Sequence, residues 1–163
     1  MDSTQAIDRP VGAEESIEPE SQAFLAKADE ADWLRLFEHC VSIPFRAGDE
    51  IIRQGDGGQS LFIVAEGELE SIILNEDEPH TVQLALMPAQ SVFGEQAFFD
   101  GQPRSATIRA RTDGQLLELT MERFEKLGAL HPRLARMVLF DLGRIISLRL
   151  RATTKVFVET YRQ

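Results

Sequence analysis

The stretch Phe93-Gly94-Glu95-Gln96-Ala97-Phe98-Phe99-Asp100-Gly101-Gln102-Pro103-Arg104-Ser105-Ala106-Thr107 interrupts a long series of short apolar runs with a period of two. Ahead of it lie Ile51-Ile52, Leu61-Phe62-Ile63-Val64, Leu69 to Leu74 and Val82 to Leu86; behind it lie Ala106 to Arg111 and Leu116 to Leu119. Turn residues separate these runs, at Ala47-Gly48-Asp49, Gly55-Asp56-Gly57-Gly58, Glu66-Gly67, Asn75 to Pro79, Met87-Pro88 and Thr112-Asp113-Gly114. Six or more strands spaced in this way predict a small antiparallel roll or barrel, which avoids a long bare edge. In the run that begins at Ala106, the residues Ala106, Ile108 and Ala110 alternate with Thr107, Arg109 and Arg111, predicting one core face and one face toward solvent or ligand. Within the quoted stretch, Gly94 to Phe99 has the length of about one helical turn.

On both sides of the roll the period becomes helical. Phe24-Leu25-Ala26 and Trp33-Leu34, Leu36-Phe37 predict one or two short helices ending near His39. After the roll, Thr120 is placed as an N-cap, Met121 to Leu127 as a short helix closed by Gly128, and Pro132 in the first turn of a long final helix. Its apolar residues Leu134, Val138, Leu142, Ile145, Ile146, Leu148, Ala152 and Val156 form a stripe. A helix of some 25 residues spans about 38 Å, more than a small roll covers, so part of the stripe is expected to meet another copy of the chain or an effector protein. The expected architecture is mainly β with flanking helices. It is an antiparallel β-roll of the double-stranded β-helix or jelly-roll kind, with short N-terminal helices and a long C-terminal helix. Residues 1–22 are read as an acidic flexible tail, 23–40 as helices, 41–120 as the roll and 121–160 as the C-terminal helices.

The 163 residues have room for one ordinary domain; 43% are hydrophobic and 27% charged, as in a soluble globular protein. No apolar run approaches the ~20 residues of a membrane span, and the polar, acidic N-terminus lacks the pattern of a secretory signal. With the single cysteine Cys40, these features predict a cytoplasmic protein with no membrane partner. The net charge of −10 opposes binding to a nucleic-acid backbone unless a basic surface is strongly localised. Residues 131–163 do carry Arg133, Arg136, Arg144, Arg149, Arg151, Lys155 and Arg162 against Asp141 and Glu159, but these cations follow helical spacing and read as a solvated helix face. His39, His80 and His131 fall in separate elements at no ligand spacing, and no nucleophile with a paired base stands out, so neither a metal centre nor an enzyme is expected.

The order Phe93-Gly94-Glu95, then Ala97, then Pro103-Arg104-Ser105-Ala106-Thr107 resembles the phosphate-binding cassette of the cyclic nucleotide-binding domain family, which includes the bacterial catabolite activator protein. The resemblance extends to Arg46-Ala47-Gly48-Asp49, Gly55-Asp56, Leu61 to Val64 and Gly67, spanning about Val41 to Val158. It implies a stand-alone regulatory domain with cyclic AMP or cyclic GMP as ligand and no other cofactor. The signal would pass through the final helix to a homodimer or another protein. Since the sequence given stops at Gln163, direct contact with DNA is not expected. The implied contacts are Phe93, Gly94, Glu95, Gln96, Ala97, Arg104, Ser105, Ala106 and Arg149. In such a site the Arg104 fork would meet the exocyclic phosphate oxygens, Gly94 would permit close backbone approach and Glu95 would accept a hydrogen bond from the ribose 2′-hydroxyl. Ser105, with its own and the Ala106 amide, would cap the phosphate, and Arg149 or Arg151 would lie against the purine. The rival readings are an ion pair between Glu95 and Arg104 that merely holds a loop, and a nucleotide-independent assembly domain on the same fold. Gln96 and Phe98-Phe99 depart from the smaller or aliphatic residues common in the cassette, leaving the choice of nucleotide open.

Overall fold

The computed structural model describes residues 23–74 and 81–160; the acidic segment 1–22, the turn Asn75 to Pro79 together with His80, and residues 161–163 lie outside them. In chain order the elements are α1 (Glu30–Glu38), β1 (Val41–Phe45), β2 (Glu50–Ile52), β3 (Ser60–Glu66), β4 (Leu69–Leu74), β5 (Thr81–Met87), β6 (Val92–Phe93), α2 (Glu95–Asp100), β7 (Thr107–Ala110), β8 (Gly114–Thr120), α3 (Met121–Leu130) and α4 (Pro132–Thr160). The strands form two four-stranded antiparallel sheets, ordered β1-β8-β3-β6 and β2-β7-β4-β5. This is the expected mainly β roll with helices at both ends.

Strand β3 explains how roll and helices join. Phe62 and Val64 lie in an apolar cluster with Phe45, Leu69, Met87, Phe93, Ile108, Ala110 and Leu116, drawn from both sheets. Leu61 and Ile63, pointing the other way as a period of two requires, lie in a second cluster with Phe24, Leu36, Phe98, Leu127, Leu134, Val138, Leu142 and Ile145. A strand buried on both faces must be apolar at every position, which is why Leu61-Phe62-Ile63-Val64 is continuous rather than alternating.

The helices depart from expectation in three places. Residues 24–27 form a turn, not a helix, so only α1 precedes the roll. Leu25 there sits at φ 52°, a left-handed conformation incompatible with a helix. Helix α1 begins at Asp29, whose side chain accepts from the Asp32 amide. Asp32, 2% exposed, is held in turn by Arg133 Nη2 at 3.1 and 2.9 Å, fastening α1 to the start of α4. Thr120 caps α3 as expected, accepting from the Arg123 amide, but Gly128 does not end that helix. It runs on to Leu130, where His131 is the cap and its amide donates to Leu127. Finally, α4 has 29 residues, about 43 Å at the α-helical rise. Its stripe is buried at Leu134, Val138, Leu142 and Ile145, whereas Val156 is exposed.

Two strands had no clear signal. Strand β1 contains Pro44 and is exposed at Val41, Ser42 and Pro44, an edge strand that tolerates a residue lacking an N–H. Strand β6 has only two residues. The alternation in β7 also breaks: Thr107 is fully buried, its hydroxyl accepting from the Gln54 amide at 3.0 Å. Among the described residues, no helix is long and apolar enough to cross a membrane.

The burial pattern of α3 and α4 makes a direct prediction. Replacing fully buried Leu142 by Ala should destabilise the protein by about 2–5 kcal/mol, whereas Leu130→Ala, at the end of α3 and 67% exposed, should stay within about 0.5 kcal/mol. Denaturant unfolding of the two variants checks both values.

Candidate functional site

Gly94, between β6 and α2, adopts φ 79° and caps α2. A Cβ at this position would lie 2.7 Å from the Ser60 carbonyl oxygen and 2.8 Å from Arg104 Nη1, so no larger residue fits beside the arginine. Arg104 is 6% exposed. Its Nη1 donates to the Ser60 carbonyl at 3.0 Å and to the Gly94 carbonyl at 3.3 Å, and its guanidinium carbon lies 5.6 Å from the centre of the Phe62 ring. Phe62 stacks on Phe93 at 5.0 Å, so the cation rests on an aromatic wall. The backbone is clamped as well: the Arg104 amide donates to the Asp56 carbonyl and the Gly55 amide donates to the Arg104 carbonyl, both at 2.8 Å. The turn Gly55-Asp56 therefore sets where the side chain starts.

Among the described residues no carboxylate lies within 4.0 Å of this guanidinium; its partners are neutral carbonyls. Burial pulls its pKa below the ordinary arginine value, opposed by the longer-range charges of Glu118 and Glu95. A buried cation without a direct counter-ion is costly to a fold, and an anion arriving beside it removes that cost. The donor set thus suits a small anion such as a phosphate monoanion.

Glu95, first residue of α2 and 5% exposed, does not pair with Arg104. Its Oε1 accepts instead from Arg149 Nη1 at 2.6 Å, while Arg149 Nη2 donates to the Val92 carbonyl, also at 2.6 Å. The loop-holding ion pair between Glu95 and Arg104 is therefore not what the structure contains. Arg149, reached across 54 residues of sequence, fastens α4 to the junction of β6 and α2. Expected against a purine, it is here engaged with the carboxylate; Arg151 is exposed on α4. Phe93 and Ala97 are buried beneath the site, Gln96 and Ser105 are exposed at its rim, and Ala106 is 9% exposed. Phe99, one of the unusual cassette residues, is 47% exposed, and Phe98 packs edge-on against Phe124 at 5.4 Å.

With this geometry in place, the comparisons with known proteins are decisive. The cyclic nucleotide-binding domain model matches residues 42–131, more than half of the chain. The chain belongs to that family. It is 33% identical to a cAMP-dependent protein kinase regulatory subunit of Emericella nidulans over 53% of this chain and 20% of that one. It is 27% identical to the cAMP-activated global transcriptional regulator Vfr of Pseudomonas aeruginosa, over 74% of this chain and 56% of the regulator. The chain therefore spans only part of these relatives. Among solved structures, the Thermus thermophilus catabolite activator protein is similar at a TM-score of 0.72 and 26% identity, over 83% of this chain and 62% of that one. A cyclic nucleotide-binding domain from Methylobacillus flagellatus shares the fold at a TM-score of 0.73 and 20% identity, over 86% of this chain and 83% of that one.

One arrangement outside the cassette escaped sequence reasoning. His39 and His131 cap α1 and α3, and their rings meet edge-on at 6.2 Å, although no group of three metal ligands exists among the described residues. Cys40 is half-buried, and burial pushes its thiol up to about 12, with Arg123 a partial offset. Since the thiolate is the reactive form, alkylation of Cys40 near neutral pH should be on the order of 10³-fold slower in the native protein than in the unfolded chain. Timed iodoacetamide labelling with and without denaturant measures the ratio. At the cassette, Gly94→Ala should cost more than about 1 kcal/mol in an unfolding titration, because φ is positive and the new methyl overlaps a carbonyl.

Proposed function

We propose that this domain binds cyclic AMP or cyclic GMP at the cassette and transmits occupancy through α4, acting as a regulatory module rather than an enzyme. The observation that carries this reading is the buried Arg104 guanidinium held by neutral carbonyls, with no carboxylate in salt-bridge range among the described residues. A cyclic nucleotide supplies the missing charge as one compact phosphate. In this reading the Arg104 fork takes the exocyclic oxygens, with the amides of the turn at Gly94, Glu95, Gln96 and Ala97 and those of Ser105 and Ala106 lining the same space. Glu95 accepts from the ribose 2′-hydroxyl, which favours a ribonucleotide. Arg149, already on Glu95, carries the ribose end of the ligand to α4. The cAMP named in both curated relatives supports this choice of ligand.

The output surface proposed is the exposed side of α4. Phe140, Gly143, Ser147, Leu150, Thr154 and Phe157 recur at alternating intervals of three and four and are all exposed. That is the spacing of a two-stranded coiled-coil seam. A Cβ at Gly143 would meet nothing within 4 Å, leaving room for a second backbone. An open groove of about 650 Å³ along Ser147, Leu150, Arg151, Thr154 and Val158 continues the same face. A second copy of the chain is the occupant that the heptad spacing fits.

Titration calorimetry with cyclic AMP and cyclic GMP tests the ligand. Arg104→Lys should weaken binding tenfold or more, from the roughly 1.5–3 kcal/mol carried by a hydrogen bond to a charged group; a wild-type protein indifferent to both nucleotides overturns the reading. Sedimentation velocity tests the seam, with a dimer expected for the wild type and a monomer for Leu150→Asp. The rival reading, assembly without nucleotide, draws on the fact that Glu95 already has a partner in Arg149. A melting temperature unmoved by saturating nucleotide, in a protein that still dimerises, would favour it.

A further inference from the structure

Besides the Asp32–Arg133 and Glu95–Arg149 bonds, helix α4 is fastened to the rest of the molecule two turns before Arg149. Asp141 Oδ2 accepts from the Leu25 amide at 2.6 Å, and Asp141 Oδ1 accepts from Arg144 Nε at 2.7 Å. Arg144 Nη2 donates to the Ala23 carbonyl at 3.0 Å. One carboxylate and one guanidinium thus grip both sides of the same short turn. The turn is also tied to the roll, since the Phe24 amide donates to the Gln90 carbonyl at 3.1 Å. Gln90 lies two residues before Val92, whose carbonyl takes the other bond from Arg149.

These bonds close a circuit: Glu95 to Arg149, Arg149 to Val92, two residues back to Gln90, Gln90 to Phe24, and Leu25 to Asp141 on α4. Two of its corners are non-glycine residues in left-handed backbone, Leu25 at φ 52° and Gln90 at φ 70°. Such conformations persist only where surrounding contacts over-determine them; at Leu25 those contacts include the clasp itself and the burial of Phe24 and Leu25 at 1% and 3% exposure, and at Gln90 they include the bond from its amide to the Val64 carbonyl at 2.8 Å. Along α4, Asp141 and Arg149 are eight residues apart, about 12 Å of helix, and the buried Leu142 and Ile145 lie between them. A rotation or slide of α4 that releases one clasp therefore displaces the other.

We infer that Asp141 is a positioning residue for the nucleotide site: by gripping the Ala23–Leu25 turn it holds α4 where Arg149 reaches Glu95. It thereby couples the chain entering the domain to ligand occupancy. This inference rests on the cassette being the nucleotide site. Coupling is reciprocal, so bound nucleotide tightens the turn by the factor that the turn contributes to nucleotide affinity.

Hydrogen exchange and calorimetry on the full chain test it. In nucleotide-free protein, Arg149→Ala should speed exchange of the Leu25 amide by roughly fivefold or more, the low end of allosteric couplings, although Arg149 does not touch Leu25. Asp141→Ala should weaken cyclic nucleotide binding by a similar factor. Asp141→Asn, which keeps an acceptor for the Leu25 amide but loses the charge facing Arg144, should fall between it and the wild type. Circular dichroism confirms that each variant is folded. Leu25 exchange unaltered by Arg149→Ala overturns the inference without reference to any ligand. So does nucleotide affinity unaltered or strengthened in a folded Asp141→Ala. If wild-type protein binds neither cyclic AMP nor cyclic GMP, the ligand reading fails, and the exchange experiment alone decides the coupling between the clasps.

Discussion

The candidate site depends on one buried positive charge. Arg104 lies almost wholly inside the protein against the Ser60 and Gly94 carbonyls and the Phe62 ring. Holding it there requires several separate features of the chain. Gly94 must lack a side chain, the turn at Gly55-Asp56 must grip the Arg104 backbone, and Phe62 and Phe93 must stack behind it. The two sheets of the roll bring these pieces together, since Ser60 and Phe62 belong to one and Thr107, just after Arg104, begins a strand of the other.

Much of the fold was legible because the roll's signals are local. Runs of apolar residues between glycine and aspartate turns mark strands without knowledge of their partners, and the cassette is a contiguous motif whose resemblance to a family carries its fold. The places that were not legible are those decided by distant contacts. Residues 24–27 look helical in sequence, yet the Leu25 amide is taken by Asp141, 116 residues away. Thr107 occupies a position that alternation assigns to the outside, and becomes buried because the Gln54 amide needs its hydroxyl. Gly128 looks like a helix stop but continues α3, because a glycine ends a helix only where the backbone turns left-handed.

The candidate site shows the same division. Arg104 and Glu95 stand out by their place in a motif, but the motif could not say whether they bind each other. The structure separates them, giving Glu95 to Arg149 and leaving Arg104 to carbonyl oxygens. Arg149 was visible in the sequence as a cation of the final helix expected against a purine; its carboxylate partner lies in another element. The proximity of His39 and His131 is likewise a product of two helix ends meeting.

Strand β3 stands as a party wall between two cores, with Phe62 and Val64 in one and Leu61 and Ile63 in the other. Neither compartment can come apart without stripping one side of that wall. Roll and helices are thus bound to melt together, as a single cooperative unit rather than as a stable barrel with a detachable cover.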